Sequence, residues 1–292
     1  MNQSPGSSPP GPEPTRVAAA IDALGDEHPG IVRAARERLL AWGVVVVPQL
    51  QQAAEAESLG VRLGARGLLR TFEVRDCLGR FEALRLGRGG RGPAVPLLEG
   101  ALLLSQMVRT FVPDSHELAA VLRREANELR VECAGRSLPT CARLLAERLH
   151  ARFGLRGGDA SILALDHVSI DRVLALRVGV PVTLSLVYLA VARLAGLSAA
   201  GVAMPDHFLV RLHGVRPVLV DPYHGGRTVT KTDCARYLRT NGYDQVRDHL
   251  RDLGDREVLS HYLRSLRRAA GPRPVGEGDR SLGRALNLLE TN

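Results

Sequence analysis

The chain has 292 residues, 45% hydrophobic and 24% charged, a composition that supports folded domains with real cores and excludes a fibrous or wholly disordered chain. Its 39 lysines and arginines exceed 31 acids by a formal +8, which invites a nucleic-acid reading. Aromatics are only 4%, however, and the cations interleave with acids, as in Arg36-Glu37-Arg38 and Arg123-Arg124-Glu125; that pattern suits solvated helix faces and supplies no base-stacking platform, so no nucleic-acid partner is expected.

In chain order, residues 1–16 are rich in Pro, Ser and Gly and are expected to be a disordered tail without the apolar run of a signal peptide. A short helix follows at 17–24. Val32-Arg33 with Leu39-Leu40 then recurs as Val61-Arg62 with Leu68-Leu69, 29 residues on. Trp42-Gly43 makes a break between them, and 44–56 supplies a second apolar stripe. Helix, turn, helix and the first helix again is the signature of stacked helical hairpins. Residues 17–86 resemble HEAT-type repeats on this ground, which implies a scaffold wall. The Gly/Arg/Pro stretch 87–96 is the expected linker and domain boundary. Helices are predicted at 97–108, 115–129 and 138–153, with Pro113-Asp114-Ser115 and Ser137-Leu138-Pro139 as starts and Gly157-Gly158 as the stop.

From there the texture changes. Residues 180–197 form one long apolar segment, broken only by Arg193 and too short for a membrane span of about 20 apolar residues. Three short apolar runs follow at 200–204, 208–212 and 217–220, separated by Pro205-Asp206 and Gly214, and these read as strands. Helices return at 231–240 and 256–269, and 271–292 is a tail or last helix. The fold class expected is α+β and mostly helical, a buried helix plus a small antiparallel sheet, with N-terminal helical repeats. The four cysteines, Cys77, Cys133, Cys141 and Cys234, have neither CxxC nor zinc spacing, which fits reduced thiols of a cytoplasmic protein.

The succession GVPVTLSLVYLAVAR (residues 179–193), MPDHFLVR (204–211) and DPYHGG (221–226) resembles the transglutaminase-like superfamily, whose members share a papain-like arrangement, and more closely its SirB-type branch. The resemblance extends over 97–270, with its core at 165–230. It implies a cysteine at the first turn of the buried helix, a histidine on the neighbouring strand to take its proton and an aspartate on the next strand to orient the imidazole. By motif the histidine is His207 and the aspartate Asp221. The cysteine position, two residues past Gly179, is Pro181. Proline suits the first helical position but carries no nucleophile, so acyl transfer by this route is not expected.

The resemblance therefore implies a non-catalytic, binding or regulatory protein with cytoplasmic bacterial relatives, holding a protein partner or small ligand in the cleft of His207 and Asp221. The alternative is a cysteine- or serine-type acyl hydrolase whose nucleophile has moved to Thr183, Ser185, Cys133, Cys141 or Cys234, although the ordinary role of each is structural. A metal set drawn from Asp166, His167, Asp206, His207, Asp221 and His224 is conceivable chemically, but its spacing matches no ligand pattern, and no metal or cofactor is expected. Arg211 shares a strand face with His207 and Leu209, placing it to pair with Asp206 or Asp221 or to face solvent.

Overall fold

The computed structural model describes residues 12–84, 94–109, 115–159, 164–271 and 277–291. The chain divides into two compact units, Met1–Asp76 and Cys77–Asn292. In the first, α1 (Pro14–Asp22), α2 (Pro29–Trp42) and α3 (Val47–Ala53) precede the long α4 (Leu59–Glu82). Proline stands in the first turn of α1, α2 and α3, where its missing N–H and fixed φ cost nothing. Helix α1 thus takes in Pro14–Arg16, which the sequence reading placed in the tail; residues 1–11 lie outside the described residues. Val17, Leu24, Leu39, Leu50, Ala65 and Leu68 bury together as one apolar cluster. Leu39 and Leu68 are the paired positions of the suspected repeat. Gly64 lets α4 approach closely, since a β-carbon there would lie 2.9 Å from Leu24 Cβ.

The division at Asp76 and Cys77 falls inside α4. Of the glycine- and arginine-rich stretch 87–96, residues 87–93 lie outside the described residues and 94–96 belong to the next helix. Cys77, Leu78 and Phe81 are buried, and a β-carbon on Gly100 would stand 3.5 Å from Phe81 Cε2 and 2.8 Å from Leu259 Cδ1.

In the second unit, α5 (Ala94–Val108), α6 (Ser115–Cys133) and α7 (Leu138–Ala146) lead into a wider helical turn at Glu147–Arg152. Ser137 caps α7 by accepting from the Thr140 N–H at 3.4 Å, a favourable arrangement for an orphan helix donor. The proposed start at Pro113 and Asp114 lies outside the described residues. A two-residue strand, β1 (Arg156–Gly157), precedes α8 (Leu165–Val168) and α9 (Ile170–Leu176) and pairs in parallel with β2 (Val178–Gly179). Then comes α10 (Pro181–Leu194), in which Val182 to Ala192 are all buried. Being apolar all round, this helix is stable only at the centre of a core, and it packs on α5, α6 and the sheet.

The sheet is an antiparallel meander of β3 (Ala199–Met204), β4 (His207–Leu212), β5 (Val218–Asp221) and β6 (Arg227–Val229), in that order. Pro205 and Asp206 make the two-residue turn between β3 and β4, with Met204 opposite His207. Asp206 sits at φ +53°, a left-handed conformation that aspartate tolerates. One sheet face meets α10. On the other, Val202, Leu209 and Leu219 bury with Cys234 and Leu238, the latter two on α11 (Lys231–Thr240). A short α12 (Val246–His249), then α13 (Asp255–Ala270) and α14 (Glu277–Glu290) complete the chain. At the end of α10, buried Arg193 donates to Asp255 Oδ1 at 2.7 Å and to the Ala199 carbonyl at 3.0 Å, so the apolar helix ends on a satisfied charge. No described helix is long and apolar enough to cross a membrane.

Candidate functional site

His207 opens β4 and Asp221 closes β5. Both fall on the same sheet face as Leu209 and Leu219 by strand alternation. The register pairs Val210 with Val220, so continuing it by one sets Asp221 opposite Leu209 and diagonal to His207. That is a separation an imidazole can span. Asp221 Oδ1 accepts from His207 Nε2 at 2.9 Å. Among the described residues this is the only hydrogen bond of the His207 ring, whose edge also meets Tyr223 at a centroid separation of 6.0 Å.

Asp221 is only 2% exposed and takes three more donors. Its Oδ2 accepts from His224 Nδ1 at 2.8 Å, and its Oδ1 from the His224 backbone N–H at 3.3 Å. Arg227 Nε approaches Oδ2 at 3.3 Å. The chain returns on itself to make these contacts. Pro222–His224 form a single tight helical turn, and Gly225 and Gly226 follow at φ +75° and +76°. Gly226 has no room for a side chain, since a β-carbon would lie 2.5 Å from Ala146 Cβ and 2.9 Å from the Tyr188 hydroxyl. Burial by itself pushes the Asp221 carboxyl up, but the hydrogen bonds and charges of His207 and His224 outweigh it and hold the group down at about 2. The carboxylate is therefore ionised throughout the physiological range.

Pro181 is the first residue of α10, with Val180 as the extended residue before it. The helix start is tied to the site through neighbours. Gly158 N–H donates to the Gly179 carbonyl at 3.1 Å, and the Gly158 carbonyl in turn accepts from the Tyr223 hydroxyl. The hydroxyls that follow Pro181 are occupied: Thr183 Oγ1 donates to the Val168 carbonyl at 2.8 Å and Ser185 Oγ to the Phe208 carbonyl at 2.9 Å. Both residues are fully buried and act as structural ties between α10 and its surroundings.

The candidate thiols Cys133, Cys141 and Cys234 lie in apolar or self-paired settings. Cys234 is buried within the α11 cluster, and burial raises its thiol, with Asp233 adding to the effect. Cys133 is pushed up to about 12, first by burial and then by its hydrogen bond with Cys141, and Cys141 Sγ donates to the Cys133 carbonyl at 3.8 Å. A nucleophilic thiol needs the opposite shift.

The remaining candidates separate. Asp206 is exposed in its turn. Asp166 pairs with Arg109 at 2.7 Å and Arg172 at 3.2 Å, and the Arg109 hydrogen bond leads in holding its carboxyl below the usual range. Arg211, placed by strand alternation to pair with Asp206 or Asp221 or to face solvent, does none of these. Its guanidinium instead donates to Asp252 and to the Leu250 carbonyl, because the segment after α12 crosses that end of the strand and offers a carboxylate at closer reach. His224 was legible only as one of six conceivable ligands. Its role as a second imidazole on Asp221 follows from the two left-handed glycines behind it in DPYHGG.

The structure thus sets a histidine and a buried aspartate in hydrogen-bond contact on adjacent antiparallel strands. A model of the transglutaminase-like superfamily matches residues 114–264, and the chain belongs to that superfamily. Two curated relatives are both described as UPF0162 protein. One, from Xylella fastidiosa strain 9a5c, is 28% identical over 182 residues, and the other, from strain Temecula1, is 31% identical over 182 residues. In each case the match takes in 59% of this chain and 64% of the relative. No solved structure gives a significant match.

Proposed function

We propose that the chain is a SirB-type, non-catalytic member of the superfamily, acting in the cytoplasm as a binding or regulatory protein that takes a protein partner or small ligand beside His207 and Asp221. The observation that carries this reading is Pro181 at the first position of α10, where the superfamily's chemistry needs a thiolate at a helix N-terminus. The burial and hydrogen bonding of Thr183 and Ser185, the raised thiols of Cys133 and Cys234, and the burial of Cys141 against the Cys133 carbonyl support this reading. We read residues 17–86 as a HEAT-like scaffold segment, supported by Leu39 and Leu68 entering one core at equivalent helix positions.

The second reading, an acyl hydrolase with a relocated nucleophile, is favoured by one observation: the 2.9 Å contact of His207 and Asp221 has the form of an intact base and its orienting carboxylate. Iodoacetamide alkylation of the four thiols across about pH 5 to about pH 9, read by mass spectrometry, separates the two. The non-catalytic reading expects every thiol to react only at the alkaline end. One cysteine reacting at the acid end, and losing that reactivity in His207→Ala, would establish the hydrolase instead.

A further inference from the structure

Of the features that the proposed function leaves unused, the second imidazole at Asp221 carries the argument furthest. A single histidine suffices for a base held by a carboxylate. Here His207 Nε2 and His224 Nδ1 approach opposite oxygens of one buried carboxylate, at 2.9 and 2.8 Å. Their rings lie 5.4 Å apart between centroids, inclined at 44°. The ligand-capable atoms of His207, Asp221 and His224 all fall within 4.8 Å of one another.

Those spacings approach the demands of a first-row metal ion, and a span of up to 4.8 Å has to close by about 0.6 Å as the ion binds. With ligands at about 2.1 Å, neighbouring positions around an octahedral ion stand about 3.0 Å apart and opposite ones about 4.2 Å. Each nitrogen already stands near the neighbouring-position value from one carboxylate oxygen, His207 from Oδ1 and His224 from Oδ2, so an ion drawing on both rings engages both oxygens or turns the carboxylate. The donor chemistry agrees, since two imidazoles and one carboxylate suit zinc, cobalt, nickel or iron(II) and not magnesium or calcium. Access also exists, because the His224 side chain is 50% exposed and that of Arg227, the competing cation on Asp221, is 61% exposed. Arg227 can swing into solvent as a divalent ion replaces its charge. Each imidazole proton now shared with Asp221 moves to the ring's other nitrogen, so the nitrogen facing the carboxylate becomes a ligand.

We propose that His207, Asp221 and His224 form a binding site for a divalent transition-metal cation, with further positions open to water or to a carboxylate- or imidazole-bearing partner. This deepens the non-catalytic reading and rests on it, because it assigns the His207 nitrogen to a metal where a hydrolase would use the ring as a base. The Asp221 charge and the two neutral ring nitrogens set the affinity, which falls as protons compete for the imidazoles at low pH.

The test is a cobalt(II) titration of the full chain near neutral pH, followed by visible absorption and calorimetry. One cobalt ion per chain is expected, with ligand-field bands and no thiolate charge-transfer band, and zinc should displace it. His224→Ala, a change at a half-exposed position that leaves the fold intact by circular dichroism, should weaken binding at least about tenfold. Asp221→Asn should do the same, and serves as a second probe. Absence of stoichiometric binding, or binding unaffected by His224→Ala, overturns the metal site. Thiol reactivity measured on the same sample keeps that result apart from the proposed function. Inert thiols without metal binding remove only the metal site, whereas a thiol reactive at acid pH removes the non-catalytic reading as well.

Discussion

Asp221 concentrates more electrostatic work than any other single residue of the site. Its folded value of about 2 lies below the unfolded value of about 3.9. Its contribution to stability is thus fully present above about pH 4 and is lost as pH falls through about pH 2. The size is on the order of 2 kcal/mol. Urea unfolding of the wild type should therefore weaken steeply over that acid range. Asp221→Asn should flatten the dependence and lower stability at neutral pH by a similar amount, and an unchanged acid limb would show that the carboxylate is not held as described. Tyr188 makes the opposite case. It is fully buried, its hydroxyl has no hydrogen-bond partner among the described residues, and burial followed by the Asp221 charge raises its pKa. Removing an unsatisfied buried hydroxyl removes its desolvation cost. Tyr188→Phe is accordingly expected to be neutral or to stabilise by about 1 kcal/mol in the same measurement, whereas a loss of stability would reveal a partner for the hydroxyl.

At the scale of elements, the second unit is fastened by charges placed inside it as well as by apolar packing. Arg148, 3% exposed on the turn after α7, reaches three carboxylates of α6: Glu125 at 3.2 Å, Glu128 at 2.6 Å and Glu132 at 2.5 Å. One guanidinium fork serves several acids where a lysine would offer a single point charge. Arg148→Ala would leave Glu125 nearly buried beside two like charges, and about 3 kcal/mol of stability should be lost, as when one partner of a buried pair is deleted. Arg148→Lys should recover part of that loss, and a full recovery would argue against the forked geometry. The elements themselves were largely visible in advance. Helical patterning located α5, α6, α7, α11 and α13, one continuous apolar run located α10, and short apolar runs between turn residues located β3, β4 and β5. Missed were β1, β2, β6, α8, α9 and α12, each two to seven residues long and so too brief for a periodicity to register. The partner of Arg211 was out of reach for a different reason: Asp252 lies 41 residues away, and only the return of the chain past α12 brings it alongside.

For the whole molecule, sequence motifs led to the His207–Asp221 pair because residue order along a strand meander is local information. They did not lead to the crowding of His224 and Arg227 on the same carboxylate, which depends on backbone angles at Gly225 and Gly226. Charge distribution can be judged at this scale too. A formal +8 would matter for nucleic acid if the arginines formed a free basic stripe, since each phosphate contact adds about 0.9 to the salt dependence of binding. Instead, arginines throughout the second unit are matched by nearby acids, as in Arg143 with Glu147, Arg152 with Glu132 and Glu147, Arg251 with Glu257 and Arg264 with Glu290. Such pairs are worth little to stability, but among the described residues they divide the surplus among many sites. Fluorescence anisotropy with labelled duplex DNA and single-stranded RNA should accordingly show only weak association at low salt, gone by about 150 mM. Its logarithmic salt slope should stay far below that of a protein making six to ten phosphate contacts. Binding that persists at that salt with a steep slope would mean that unpaired arginines converge on one surface, and would shift the search for a partner from the Asp221 site to that surface.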